Sequence, residues 1–135
     1  MTHDAMDFVR ERGMGPLADR MGLEVLSATA ERVSARMPVE GNTQPLGLLH
    51  GGANVVLAES IGSLAANIHA GPERFAVGVD ISATHLASAT SGFVHAEAKA
   101  LKLGATVAVY DIEIRNDAGE LTCVSRLTCA IRQRR

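Results

Sequence analysis

The sequence predicts an α+β fold in which one long buried helix is wrapped by a curved antiparallel sheet. Between Gly52 and Ala70 nearly every position is apolar or small, including Val55, Val56, Leu57, Ala58, Ile61, Leu64, Ala65, Ala66 and Ile68. A helix apolar on all faces has to be enclosed. From Phe75 onward the pattern changes to strands, at about 75–87, 93–103, 105–116 and 120–132, with short connections that favour an antiparallel meander. A chain of 135 residues suits one core, so a single domain over 1–135 is expected.

The elements follow in chain order. Residues 3–12 carry a short helical pattern ended by the breaker Gly13-Met14-Gly15-Pro16, after which Leu17 to Met21 supply one more turn. Gly22 to Val39 reads as two strands with a bend at Ala30-Glu31: Leu23, Val25 and Leu26 mark the first, and Val33, Ala35, Met37 and Val39 alternate with polar residues in the second. The loop Glu40 to Gly47 leads into Leu48-Leu49-His50-Gly51-Gly52 and the long helix, which Gly71-Pro72 terminates. Asn116-Asp117-Ala118-Gly119 forms the tip of a late hairpin.

Composition narrows the function. With no Trp, one Tyr and three Phe, the core volume comes from aliphatic residues. A core so built is modest, and association between copies is expected to supplement it. A net charge of −2 offers no broad attraction to nucleic acid or anionic lipid. Arg132, Gln133, Arg134 and Arg135 read as a solvated basic tail. Cys123 and Cys129 share one face of the last strand, about 20 Å apart at ~3.3 Å per residue, too far to bridge one another. Buried thiols in a reducing cytoplasm are expected. The start Met1-Thr-His-Asp-Ala-Met-Asp lacks basic and apolar targeting regions, and no apolar run reads as a membrane span.

One side chain stands out chemically. Between Gly51 and Ala70, Glu59 is the only formally charged residue. A carboxylate in such a helix is costly unless paired or hydrogen-bonded, and carboxylates in such settings cluster at functional sites. The alternatives are an ion pair with a buried Arg or the capping of a polar seam. The second feature is the helix entrance at His50-Gly51-Gly52, where unpaired N–H groups and the positive end of the helix dipole meet glycines that admit a close ligand. It suits an oxyanion hole, or equally a tight turn needing glycine for its φ angle. Gly51 and Glu59 lie eight residues apart, about 12 Å along the axis, so they cannot touch one carbonyl from the same subunit. A shared site therefore asks for two antiparallel helices across a twofold axis.

The run Gln44-Pro-Leu-Gly-Leu-Leu-His50-Gly-Gly-Ala-Asn-Val-Val-Leu-Ala-Glu59-Ser-Ile-Gly-Ser63 resembles the signature of the hotdog-fold acyl-CoA thioesterases of the PaaI-like superfamily. It is similar to the group holding the Arthrobacter-type 4-hydroxybenzoyl-CoA thioesterase, the enterobactin proofreading thioesterase and the 1,4-dihydroxy-2-naphthoyl-CoA thioesterase. The likeness runs from about Met21 to Ile131 and includes Val124-Ser-Arg-Leu-Thr-Cys-Ala-Ile131. It implies hydrolysis of an acyl-CoA, with an aromatic acyl group, in a cytoplasmic homotetramer whose dimers form the site.

Within that resemblance, Glu59 is nucleophile or general base, and Gly51 donates its N–H to the thioester oxygen. Gln44 and His50 flank the thioester, His50 orienting the loop or assisting proton transfer, and Ser63 positions water or the carboxylate. Coenzyme A contacts are implied at Gly78, at His85, Leu86, Ala87 and Ser88, and at Lys102, Leu103, Gly104, Ala105, Thr106 and Val107. Relatives often carry Arg at the place of Ala87 and His at that of Lys102, which puts the nucleotide contacts in question more than the reaction. Phenylacetate-pathway relatives typically carry Asp where this chain has Glu59.

No metal or cofactor beyond the coenzyme A of the substrate is implied, since thiolate is a good leaving group and His3, His50, His69, His85 and His95 show no zinc spacing. His69 and His95 read as surface or edge residues. Arg126 is expected to pair with Asp111 or Glu113 on a neighbouring strand. A hotdog hydratase or dehydratase, or a non-catalytic acyl-CoA binding protein, would share the scaffold. The acid in mid-helix, nine residues after His50, argues against the first, and its presence in an apolar helix against the second.

Overall fold

The computed structural model describes residues 5–134. Two short helices, α1 (Ala5–Arg12) and α2 (Pro16–Met21), precede strands β1 (Glu24–Ala28) and β2 (Arg32–Pro38). The long helix α3 (Gly51–Ala70) follows, then β3 (Arg74–His85), β4 (Phe93–Leu103), β5 (Val107–Asn116) and β6 (Leu121–Gln133). The expected helical positions at residues 3 and 4 lie outside the described residues. Pro16 opens α2 at its first turn, where a missing N–H costs nothing, and Gly22 closes it in the left-handed region at φ 77°. Arg132 and Gln133, read as tail, belong to β6 and pair with Phe75 and Arg74.

The six strands form one antiparallel sheet in the order β1-β2-β4-β5-β6-β3. The last four strands are therefore not a simple meander: β4, β5 and β6 are, but β3 pairs with β6 at the far edge. Residues 86–92 are too long for a tight hairpin and carry the chain from β3 across the sheet to β4, beside β2. The segment is held by Leu86 N–H donating to the Thr122 carbonyl and by the Leu49 N–H donating to the Ala89 carbonyl. The crossover passes the N-terminus of α3 and builds the wall of a cavity there.

The helix α3 touches all six strands. Leu57, Ala58, Ile61, Ala65 and Ala66 are fully buried against Val33 and Met37 of β2, Val94 and Ala98 of β4, Tyr110 and Ile114 of β5, and Leu127 and Cys129 of β6. The frequent alanines let helix and sheet backbones approach, and inward residues alternate with polar ones along β2, β4, β5 and β6 as a half-buried sheet requires. Enclosure is not complete. Val55, Val56, Glu59, Ser60 and Ser63 are only half-buried, and Gly52 and Asn67 are exposed. These positions form a stripe along one side of α3 that the chain's own sheet leaves uncovered.

Cys123 and Cys129 are separate, buried free thiols, as expected, and burial pushes both thiols up from their ordinary range. Arg126 pairs with Asp111, Nε to Oδ1 at 2.9 Å. His95 pairs with Asp117 on the surface at 2.7 Å, and His69 Nε2 meets the Gly104 carbonyl at 2.7 Å, tying the end of α3 to the β4–β5 turn. Among the described residues no helix is long and apolar enough to cross a membrane.

The core's only tyrosine is also an anchor. Tyr110 is fully buried, its hydroxyl donates to the Ala30 carbonyl at 2.7 Å, and burial raises its pKa far above the ordinary value. This bond holds the β1–β2 bend onto β5. Tyr110→Phe keeps the ring and deletes the donor, so it is expected to cost about 1 kcal/mol. Urea unfolding would show this as a lower midpoint at unchanged m-value.

Candidate active site

The N-terminus of α3 is prepared by a folded loop. His50 N–H donates to the Asn42 carbonyl at 2.9 Å, and the Asn42 side-chain amide reaches the Met21 and Pro38 carbonyls at 2.7 and 2.8 Å. Gln44 turns its side-chain oxygen back onto the Leu46 and Leu48 N–H groups. His50 is the N-cap: its backbone is extended at φ −64° and ψ 132°, and its Nδ1 accepts from Gly52 N–H at 2.8 Å. Since Nδ1 accepts, the neutral ring carries its proton on Nε2. The ring ties the loop to the first turn of α3.

With Gly52 capped, the Gly51 N–H is left with no hydrogen-bond partner among the described residues. Gly51 lines a cavity of about 230 Å³ together with Gln44, Asn54, His85, Ser88 and Thr122. Glycine at position 51 leaves room for a neighbouring ring. A Cβ there would stand 3.0 Å from His85 Nε2 and 3.3 Å from Cε1. A larger hollow of about 630 Å³ lies on the outer face of the sheet among Glu97, Lys99, Asp111, Glu113 and Arg126. It is open to solvent and its charges are paired, Glu97 with Lys99, Asp111 with Arg126 and Glu113 with Arg115 nearby, so the smaller cavity is the chemically distinctive one.

Glu59 sits two turns further along α3 on the uncovered stripe, and it makes no hydrogen bond or ion pair among the described residues. Among the described residues no Arg pairs with it. Its carboxylate rests on β3, where a Cβ at Gly78 would come within 2.6 Å of Oε2. Glycine at 78 makes room for the acid. A bulge directly after it, at Val79, re-aims the strand, and Asn67 clamps β3 to α3 through both its amide nitrogen and oxygen on Ala76. Ser63, one turn beyond Glu59, reaches the buried thiol of Cys129, which also feels the Glu59 charge.

The residues singled out from the sequence thus fall into three groups. Gln44, Gly51, His85, Ala87 and Ser88 line the cavity at the helix N-terminus, with His50 capping beside it and Leu86 exposed next to it. Glu59, Ser63 and Gly78 meet at mid-helix. Lys102, Leu103, Gly104, Ala105, Thr106 and Val107 form the β4–β5 turn at the other end of α3, where Arg74 also bonds the Ala105 carbonyl at 3.0 Å. One chain does not bring the three together. Sequence reasoning passed over Asn54, which is buried and lines the cavity three residues after Gly51. Its signal was a polar amide on the inward face of an apolar helix.

Residues 46–123, from the Gln44 loop to the start of β6, match the thioesterase superfamily. The chain belongs to that family. It is 50% identical over 102 residues to the 1,4-dihydroxy-2-naphthoyl-CoA hydrolase of Escherichia coli, covering 75% of each chain. To the proofreading thioesterase of Cronobacter turicensis it is 34% identical over 130 residues, 96% of this chain and 95% of that one. The crystal structure of a thioesterase from Haemophilus influenzae superposes with a TM-score of 0.90 at 36% identity, covering 98% of this chain and 93% of the other. The fold is the hotdog fold of that family, and the chain is an enzyme, a thioester hydrolase. Among the described residues no three His, Cys, Asp or Glu side chains gather to hold a metal ion.

For a thioesterase the two halves of the helix are complementary in kind. Thioester hydrolysis in general calls for a donor that polarises the carbonyl and a group that delivers or activates an oxygen nucleophile, and a backbone N–H and a carboxylate are groups of those two kinds.

Proposed function

We propose that this thioesterase hydrolyses aromatic acyl-CoA esters at sites shared between two copies of the chain, in the cytoplasm. The observation that carries the reading is the unpartnered Glu59 on the open stripe of α3, about 12 Å along the axis from the unpartnered Gly51 N–H. Two copies with antiparallel α3 helices across a twofold axis would cover the stripe and set Glu59 of each against Gly51 of the other. Gly51 N–H then stabilises the oxyanion, and Glu59 either attacks the carbonyl carbon, expelling thiolate and leaving an anhydride that water cleaves to the acid, or takes a proton from a water whose oxygen attacks the carbonyl as thiolate leaves. His50 and Gln44 hold the loop, and Ser63 supports Glu59.

Residues 85–88 and 102–107 would take the pantetheine and nucleotide, and two such dimers would form a tetramer. The aromatic preference rests on the likeness to the dihydroxynaphthoyl-CoA hydrolase of Escherichia coli.

A thiol-release panel tests substrate and carrier together: benzoyl, hydroxybenzoyl, dihydroxynaphthoyl, phenylacetyl and straight-chain esters, each on coenzyme A and on carrier protein. Aromatic coenzyme A esters are expected to show kcat/KM at least roughly tenfold above straight-chain ones, the scale of discrimination a hydrophobic pocket can give. The reverse order removes the aromatic assignment.

A further inference from the structure

We propose that Asn54 is a positioning residue that locks His85 as its Nε2–H tautomer, making that N–H a second neutral donor beside Gly51 N–H at the start of α3. This rests on the reading of the α3 N-terminus as the oxyanion site. Asn54 Nδ2 lies 3.3 Å from His85 Nδ1. An amide nitrogen only donates, so Nδ1 must be bare and the neutral ring must carry its proton on Nε2. That same Nε2 is the atom that would stand 3.0 Å from a Cβ on Gly51. Gly51 and His85 both line the cavity at the start of α3, which sets the two donors at one site.

The second observation is the state of Asn54 itself. It is 5% exposed, and its Oδ1 makes no hydrogen bond among the described residues. Leaving a buried amide oxygen unsatisfied is costly, because it has given up water without gaining a donor. That cost is relieved when a donor enters the cavity, and an acyl thioester of pantetheine brings amide N–H groups while hydrolysis brings water. Turning the amide over would satisfy Oδ1 with an Nδ1–H ring, but would strip the proton from Nε2 and face its lone pair toward the incoming carbonyl oxygen. The two orientations predict opposite tautomers, so the arrangement can be read directly.

The test uses the intact protein labelled with nitrogen-15 in histidine. Long-range proton–nitrogen spectra of the unliganded enzyme, with His85 assigned by its loss in His85→Gln, are expected to show a bare Nδ1 and a protonated Nε2. An Nδ1–H form overturns the proposal without bearing on whether the protein is a hydrolase. Asn54→Leu keeps volume and removes the donor, and it should mix the two tautomers and lower kcat roughly 10- to 100-fold with little change in KM, the range expected for a misaligned catalytic donor. In a double-mutant cycle, Asn54→Leu in a His85→Ala background should add no further loss. Additive losses would assign Asn54 a purely structural role and sink the proposal. Where Asn54→Leu fails to fold, the wild-type tautomer and the activity of His85→Gln decide: glutamine places its amide N–H near Nε2 and should retain most of the rate that alanine loses.

Discussion

Replacing Glu59 with glutamine is expected to lower kcat about a thousandfold while leaving the fold and assembly intact. The magnitude is the middle of the range for a positioned acid–base group, ~10²–10⁴. Glutamine has the same length and shape, so contact with Gly78 persists, but it can neither take a proton from water nor attack a carbonyl to form an anhydride. Most buried carboxylates are risky to neutralise because a cationic partner is left behind. Glu59 has no such partner among the described residues and is only half-buried. Thermal unfolding should therefore be unchanged or slightly raised. The measurement is steady-state thiol release beside a melting curve and sedimentation. A variant that keeps full activity would remove Glu59 from the mechanism, and one that loses activity only by unfolding would show the carboxylate to be structural.

How far that residue could be read from sequence has a physical explanation. A charge alone in an apolar helix is visible because hydrophobic periodicity is local, and the same locality made the strand positions and the α3 boundaries legible. That no Arg among the described residues pairs with it is a fact about distant elements and needed the structure. The sheet order was hidden for the same reason. Short connections suggested that β3 to β6 run in sequence, yet β3 lies beyond β6 because α3 occupies the space between β2 and β3 and the chain must return around the helix end. That return places Ala87 and Ser88 at the Gly51 cavity.

The uncovered stripe of α3 was not visible in the sequence for another reason. An all-round apolar pattern reports that a helix is enclosed, but not whether by its own chain or by another copy. The role of Gly78 was invisible too. Glycine in a strand signals close approach, but only coordinates show that what approaches is the Glu59 carboxylate. The β4–β5 turn stands at the helix end opposite the cavity, so a single chain cannot display whether it meets substrate.

The sharpest expectation for the other half of the chemistry is that Gly51→Pro costs ~10²–10³ more in kcat than Gly51→Ala, the loss that follows removal of one oxyanion donor, or about 3 kcal/mol. A backbone N–H cannot ordinarily be deleted without breaking a helix, but position 51 is the first residue after the N-cap, where proline is well tolerated. Proline also demands an extended residue before it, and His50 already lies at φ −64° and ψ 132°. The cap bond from Gly52 N–H to His50 Nδ1 does not involve the Gly51 nitrogen and should survive. Both variants add a Cβ against His85, at 3.0 Å from Nε2, so the ring must yield by a few tenths of an ångström in each. Alanine measures that shared disturbance, and the difference between the two isolates the N–H apart from the remaining ring atoms. Losses of equal size in the two variants would show that Gly51 serves only to make room for His85, and the oxyanion donor would have to be sought elsewhere in the cavity.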